Sequence, residues 1–208
     1  MVFQCEHNDQ LFKENVNHKF MSNFVKLSEV AEIIRGFNGG RESPTGKTVK
    51  FLRVSNLKDL ITIDTDNLLV KKISTKNLQQ RDSMKIKKND ILISLTGIIG
   101  KTSIAIKNLD CFANSNIAII RPKYIRPEYL LVALNSKKFQ QRLKKLARGV
   151  TIQHVPLPPF REFMEIPLLS VSEELKVVKK FNVLKNNISK IEMDLEKTKK
   201  DLENFEIK

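Results

Sequence analysis

From Val177 to Phe205 apolar side chains recur every three and four residues, and this period fixes one element at once: a long helix with a narrow apolar seam. With Phe181 opening the repeat, one seam row is Phe181, Ile188, Leu195 and Leu202, and the other is Leu184, Ile191, Thr198 and Phe205. Thr198 is the single polar member. A 3.5-residue repeat predicts a coiled coil whose partner covers Phe181, Leu184, Ile188, Ile191, Leu195, Leu202 and Phe205. An amphipathic helix lying on its own domain is the competing reading and normally carries a wider stripe.

The flanking charges select an orientation. A parallel homodimer sets Lys180 against Lys185 and Asp201 against Glu206. An antiparallel one, with Phe181 facing Phe205, matches Lys180 with Asp201, Lys185 with Glu206 and Glu192 with Lys199. Each exposed pair contributes only about 0.3 kcal/mol, so the charges favour an antiparallel homodimer without supplying its affinity.

The helix is electrically balanced and the remainder is not. Residues 172–208 carry nine Lys/Arg and eight Asp/Glu, leaving residues 1–171 with 28 basic and 15 acidic side chains, +13 of the formal +14. A polycationic domain implies a polyanionic partner, most simply double-stranded DNA, because each neutralised phosphate releases counterions. A Lys-rich surface serving only solubility is the plain alternative. No apolar run reaches bilayer length and no leader pattern opens the chain, so a cytoplasmic protein without membrane contact is expected. Cys5 and Cys111 suit a reducing compartment and provide neither a disulfide framework nor a metal-site spacing.

Along the chain, the pattern predicts a mixed α/β (α+β) globular domain followed by the long helix. Residues 1–23 form an N-terminal extension, 24–158 the globular domain, 159–171 a proline-rich connector and 172–208 the coiled-coil helix. Within the domain, Ser28 caps a short helix over Glu29–Ile34. Strands are expected in 47–57, 61–70, on both sides of the 96–102 loop, and up to Pro122. One helix is expected over Pro127–Ala147. Ser170 with Glu173 forms a capping box at the start of the long helix.

Several motifs point nowhere. Two Gly-Lys-Thr triplets, at Gly46 and Gly100, lack the earlier glycine of a phosphate-binding loop, having Arg41 and Leu95 in its place. Leu157–Phe160 reads LPPF, close to the Pro-Pro element of amino-methyltransferases, but Leu157 offers no acceptor to an exocyclic amine. His7, His18 and His154 have neither ligand nor catalytic spacing, so no catalytic residue, metal site or cofactor is assigned to the chain. The remaining signal lies in three basic, amide-bearing loops: 35–51, 95–102 and 147–154. Arg41, Lys47, Thr96, Lys101, Arg148, Thr151 and Gln153 carry the side chains that contact phosphates and base edges.

The segment order FVKLSEVAEIIRG, FLRVSNLKD, DILISLTGIIGKTSIA, FANSNIAIIRPK, PEYLLVALNS and ARGVTIQHVPLPPFREFMEIPLL, followed by the heptad helix, resembles one half of a type I restriction-modification DNA-specificity subunit. That half consists of a target recognition domain and a helical spacer. The resemblance spans residues 24–208 and departs from the family at Glu174-Leu175, where a Glu-Gln pair is usual. It implies a non-catalytic half-subunit that reads one half of a bipartite site, homodimerises, and docks methyltransferase subunits and, in a restriction complex, a translocase. ATP, S-adenosylmethionine and Mg²⁺ would belong to those partners. A catalytic DNA-modifying enzyme and a basic coiled-coil adaptor are the readings it competes with.

Overall fold

A computed structural model describes residues 24–205 apart from Asp59 and Gln80. The expected extension over 1–23, with Cys5, His7 and His18, lies outside these residues.

The centre is a four-stranded antiparallel sheet in the order β2 (Ala31–Arg35), β8 (Ile117–Pro122), β5 (Ile91–Ser94), β6 (Thr102–Ile104). Its inner strands, ILIS and IAIIRP, are near-continuous apolar runs because both faces are covered. Side chains alternate between two cores. Ile91, Ile93, Ala118 and Ile120 enter one core, while Leu92, Ile117 and Ile119 enter the other. The first core is closed by α3 (Pro127–Leu134), α4 (Lys137–Lys145), α5 (Leu157–Phe163) and the start of α6 (Val171–Glu203). The second lies toward a smaller sheet, β4 (Leu69–Ile73), β3 (Lys47–Leu52), β7 (Phe112–Ala113). There Phe37, Phe51 and Phe112 form an aromatic trio with centroids 5.6–5.9 Å apart.

Three local expectations change. The helix expected over Glu29–Ile34 is instead a short α1 (Leu27–Val30) running into β2, and Ser28 caps nothing. β2 wins because β-branched Ile33 and Ile34 pair with Ile120 and Ile119 of β8, an interaction invisible to a local reading. The second strand starts at Leu69, while 61–68 is largely irregular, with Ile63 bridging Leu57. The single helix over Pro127–Ala147 is split at Asn135–Ser136. Ser136 accepts from Phe139 N at 3.3 Å to cap α4, and Asn135 Nδ2 donates to Thr102 Oγ1 at 2.7 Å. α2 (Thr75–Gln79) is a further short helix.

The proline-rich connector is folded. It contains α5 and β9 (Glu165–Pro167), which pairs with β1 (Phe24–Lys26), and Phe160, Met164 and Ile166 are fully buried. β1 and β9 close the domain next to the long helix.

The capping box is present as expected. Ser170 N donates to Glu173 Oε2 at 2.9 Å and Glu173 N to Ser170 Oγ at 3.4 Å; the Ser170 hydroxyl, donating to Glu173 Oε2 at 2.7 Å, and then the Ser170 N–H hold the Glu173 carboxyl below its usual range. α6 then runs 33 residues, about 50 Å at 1.5 Å per residue. It starts beside α3, where the Arg126 guanidinium faces the buried Glu174 at 4.0 Å and Tyr129 Oη donates to Pro167 O at 2.8 Å. Burial, followed by the Glu174 and Glu173 charges, pushes the Tyr129 hydroxyl far up. Val177, Val178 and Phe181 still pack on the core; from Asn186 onward the described helix is exposed. It is therefore a domain helix at its start and carries an uncovered apolar seam beyond.

Candidate nucleic-acid interface

Strand ends bring the predicted loops to one end of the large sheet. β2 ends at Arg35, β5 ends at Ser94, and β8 and β6 begin at Ile117 and Thr102, so loops 36–46, 95–101 and 114–116 leave the same end. The loops are bonded in a row. Gly36 N donates to Ile117 O at 2.9 Å and Phe37 N to Ala113 O at 2.7 Å, an approach so close that a Cβ on Gly36 would lie 1.9 Å from Asn114 O. Asn38 Oδ1 accepts from Ser115 N at 3.0 Å, and Leu95 N donates to Asn116 O at 2.7 Å. The fourth loop joins through Val155 N to Leu95 O at 2.7 Å and Gly97 N to Gln153 O at 3.0 Å.

This fourth loop is a hairpin closed by Arg148 and His154, each donating its N–H to the other's carbonyl at 2.8 Å. Gly149 supports the turn with φ 98°. Thr96 bridges His154 on the other side. The structure thus gathers the half-buried Thr96 with the exposed Arg148, Thr151 and Gln153 into one patch. Arg41 is exposed on the loop that begins the row. Lys47 opens β3 on the smaller sheet, opposite Ile73, and is not brought to the patch. Lys101, at the end of the β5–β6 loop, lines a groove beside α6. Among the described residues no carboxylate pairs with Arg41, Lys47, Lys101 or Arg148.

The β5–β6 loop is braced from two sides. Ser94 Oγ donates to Ile98 O and accepts from Lys101 N at 2.9 Å, while Gln140 Nε2 of α4 donates to Gly100 O at 3.0 Å. A braced loop presents its side chains at low entropic cost. Sequence reasoning missed Gln140, and also the amide row Asn38, Ser115 and Asn116, which the run FANSN hints at. It missed the apolar tips as well: Ile98, Val150 and Ile152 are 68%, 101% and 65% exposed.

The motifs that pointed nowhere now have positions. Both Gly-Lys-Thr triplets lead into strands, β3 and β6, rather than the helix a phosphate loop requires. LPPF is the first turn of α5 with Phe160 in the core. Among the described residues no group of three or more His, Cys, Asp or Glu is gathered as metal ligands, and no helix is long and apolar enough to cross a membrane.

A family model described as "Type I restriction modification DNA specificity domain" matches residues 21–204. The chain belongs to that family. It is 28% identical over 138 residues, 65% of its length, to the type I restriction enzyme EcoBI specificity subunit of Escherichia coli, covering 28% of that subunit. Its fold is shared with the crystal structure of the type I restriction-modification S subunit from M. genitalium, at TM-score 0.56 and 16% identity over 85% of this chain and 42% of that one. It is shared also with the HsdS subunit from Thermoanaerobacter tengcongensis, at TM-score 0.52 and 18% identity over 82% and 39%. The chain spans less than half the length of each of these relatives.

Proposed function

We infer that this chain is a DNA-recognition subunit that carries no chemistry of its own. Its row of braced loops reads one half of a bipartite site, and its long helix pairs antiparallel with a second copy to bring the other half into register. Residues 24–158 do the reading, 159–171 tie them to the spacer, and 172–208 pair. Methyltransferase subunits, with or without a translocase, dock on the assembled pair and supply S-adenosylmethionine, ATP and Mg²⁺ chemistry. The reading places the protein in the cytoplasm, where its DNA is.

The observation that carries this reading is the uncovered seam. Leu184, Ile188, Ile191, Leu195 and Leu202 are 48–75% exposed along one line of a helix that leaves its own domain, and Phe205, expected on the same line, lies two residues past the helix end at Glu203 and is 73% exposed. An apolar line of that length in water favours a matching helix. The +13 of residues 1–171 supports duplex DNA as ligand.

Two measurements on the full chain test it. Sedimentation at micromolar concentration is expected to give a dimer, and Ile188→Asp with Leu195→Asp a folded monomer. Duplex DNA binding across ionic strengths is expected to weaken steeply with salt. A wild-type monomer rejects the pairing, and salt-independent binding rejects the phosphate footprint.

A further inference from the structure

The apolar seam does not end at the helix surface. Where α6 passes the end of α3, Phe181, Leu184 and Ile188 form one wall of a groove of about 600 Å³ whose other wall is Leu60, Ile61 and Thr62. The opposite wall is fixed to the sheet: Ile104 N donates to Leu60 O at 3.1 Å and Ser103 Oγ to Thr62 O at 3.3 Å, so this loop covers the outer edge of β6. Thr102 and Asn135, hydrogen-bonded to each other, also line it, together with Lys101, Lys185, Glu192 and Lys58, whose ammonium is paired with Asp64 at 3.4 Å.

We propose that this groove is the seat for the C-terminal end of a second copy's α6, so that the globular domain itself takes part in the dimer interface. The proposal rests on the antiparallel pairing inferred above. In that pairing Phe181 faces Phe205, and stepping along the seam sets Leu184 against Leu202, Ile188 against Thr198 and Ile191 against Leu195. The first three of these receiving residues already line the groove. A partner helix following the seam therefore enters between α6 and Leu60, and its Leu202, with Phe205 two residues past the helix end, meets both walls.

Three properties of the surfaces match. Leu202 and Phe205 are 75% and 73% exposed, and Leu60, Leu184 and Ile188 are 38%, 52% and 48% exposed, so each surface leaves apolar area that the other covers. The groove's Lys58, Lys101, Lys185 and Glu192 meet a helix end of mixed charge, Lys197, Lys199, Lys200, Asp201 and Glu203, with Glu192 matched to Lys199 in this register. The seam is continuous with the groove, so no separate docking event is needed. The consequence is mechanical. Thr102 and Lys101 adjoin the β5–β6 loop that bears Thr96, so the partner's helix end buttresses the recognition face and fixes its angle to the two-fold axis.

The test uses the full chain with Cys5→Ser, carrying Leu60→Cys and Phe205→Cys together. Mild oxidation is expected to give a covalent dimer on a denaturing gel, with neither single variant doing so. Leu60→Asp is expected to weaken dimerisation roughly tenfold or more while the thermal melt stays near wild type. If Leu60→Asp pairs like wild type and the cysteine pair stays uncrosslinked while Ile191→Asp gives monomers, the seam stands and the groove proposal falls. A wild-type monomer removes the pairing and the proposal together. With Cys5 restored, an intrachain bond from Leu60→Cys to Cys5 would show the chain's own N-terminal segment in the groove, and would also overturn the proposal.

Discussion

Arg121, near the end of β8, grips Asp90, just before β5, with two parallel bonds: Nε to Oδ1 and Nη2 to Oδ2, each 2.8 Å. The same guanidinium donates to Ser83 O at 3.1 Å and Lys85 O at 3.0 Å, so one side chain joins the central sheet to the loop beneath the smaller one. Asp90 is wholly buried and also accepts from Lys87 N at 2.7 Å. Its hydrogen bonds with the guanidinium hold Arg121 more firmly charged than usual.

Arg121→Ala leaves that carboxylate buried without its partner and is expected to cost about 3–5 kcal/mol of folding stability. Arg121→Lys keeps the charge but not the fork, and is expected to lie between alanine and wild type. Urea unfolding of the three proteins measures this. Equal midpoints for alanine and wild type would show that the fork is incidental.

The local features of this chain were legible and the pairings were not. The heptad ladder and the Ser170–Glu173 box depend on neighbours within a turn or two, and both describe α6 as it stands. The Ser136 cap is just as local but sits between two helical runs, where a single residue was outweighed by periodicity on both sides. Ala31–Arg35 became a strand because β8 lies beside it, and no window around Ile33 contains Ile120. Of the candidate contacts, Thr96, Arg148, Thr151 and Gln153 were individually readable as loop residues. Their assembly depends on the bond from Val155 to Leu95, sixty positions away. Lys101 illustrates the limit from the other side: loop position and charge made it a candidate contact, but no local window showed the groove beside α6 that it lines.

Cys111 provides a pH prediction. Burial, aided by Asp110, pushes its thiol up to about 11. The unfolded thiol titrates near the ordinary value of about 8.5, so the unfolded chain releases the proton first and the folded state binds more protons between the two values. Its contribution to stability is therefore constant below that window and falls as pH rises through it. In a Cys5→Ser background, Cys111→Val is expected to lose less stability than the parent above about pH 9. The parent's thiol is expected to label slowly when folded and fast in denaturant. Parallel alkaline curves for the two proteins would contradict this.

The hairpin closed by Arg148 and His154 gives a binding prediction that stability does not confound. Val150 is 101% exposed, so Val150→Asp changes no packing but introduces a negative charge at the patch. It is expected to weaken duplex binding with an unchanged melt. Arg148→Ala is expected to weaken binding across sequences and to lower the salt slope by about one, the signature of one lost phosphate contact. Unchanged affinity in both variants would remove this loop from the footprint.

The central claim is that one recognition domain serves two half-sites through a two-fold pair of long helices. Selection of bound duplexes from a random library, with the methyltransferase subunits present, measures it most directly. A pair of domains separated by a helix of about 50 Å spans on the order of 15 base pairs at about 3.4 Å each, so the two words cannot adjoin. The predicted consensus is a gapped palindrome: two short inverted words flanking unspecified pairs. A contiguous or asymmetric consensus would contradict the account.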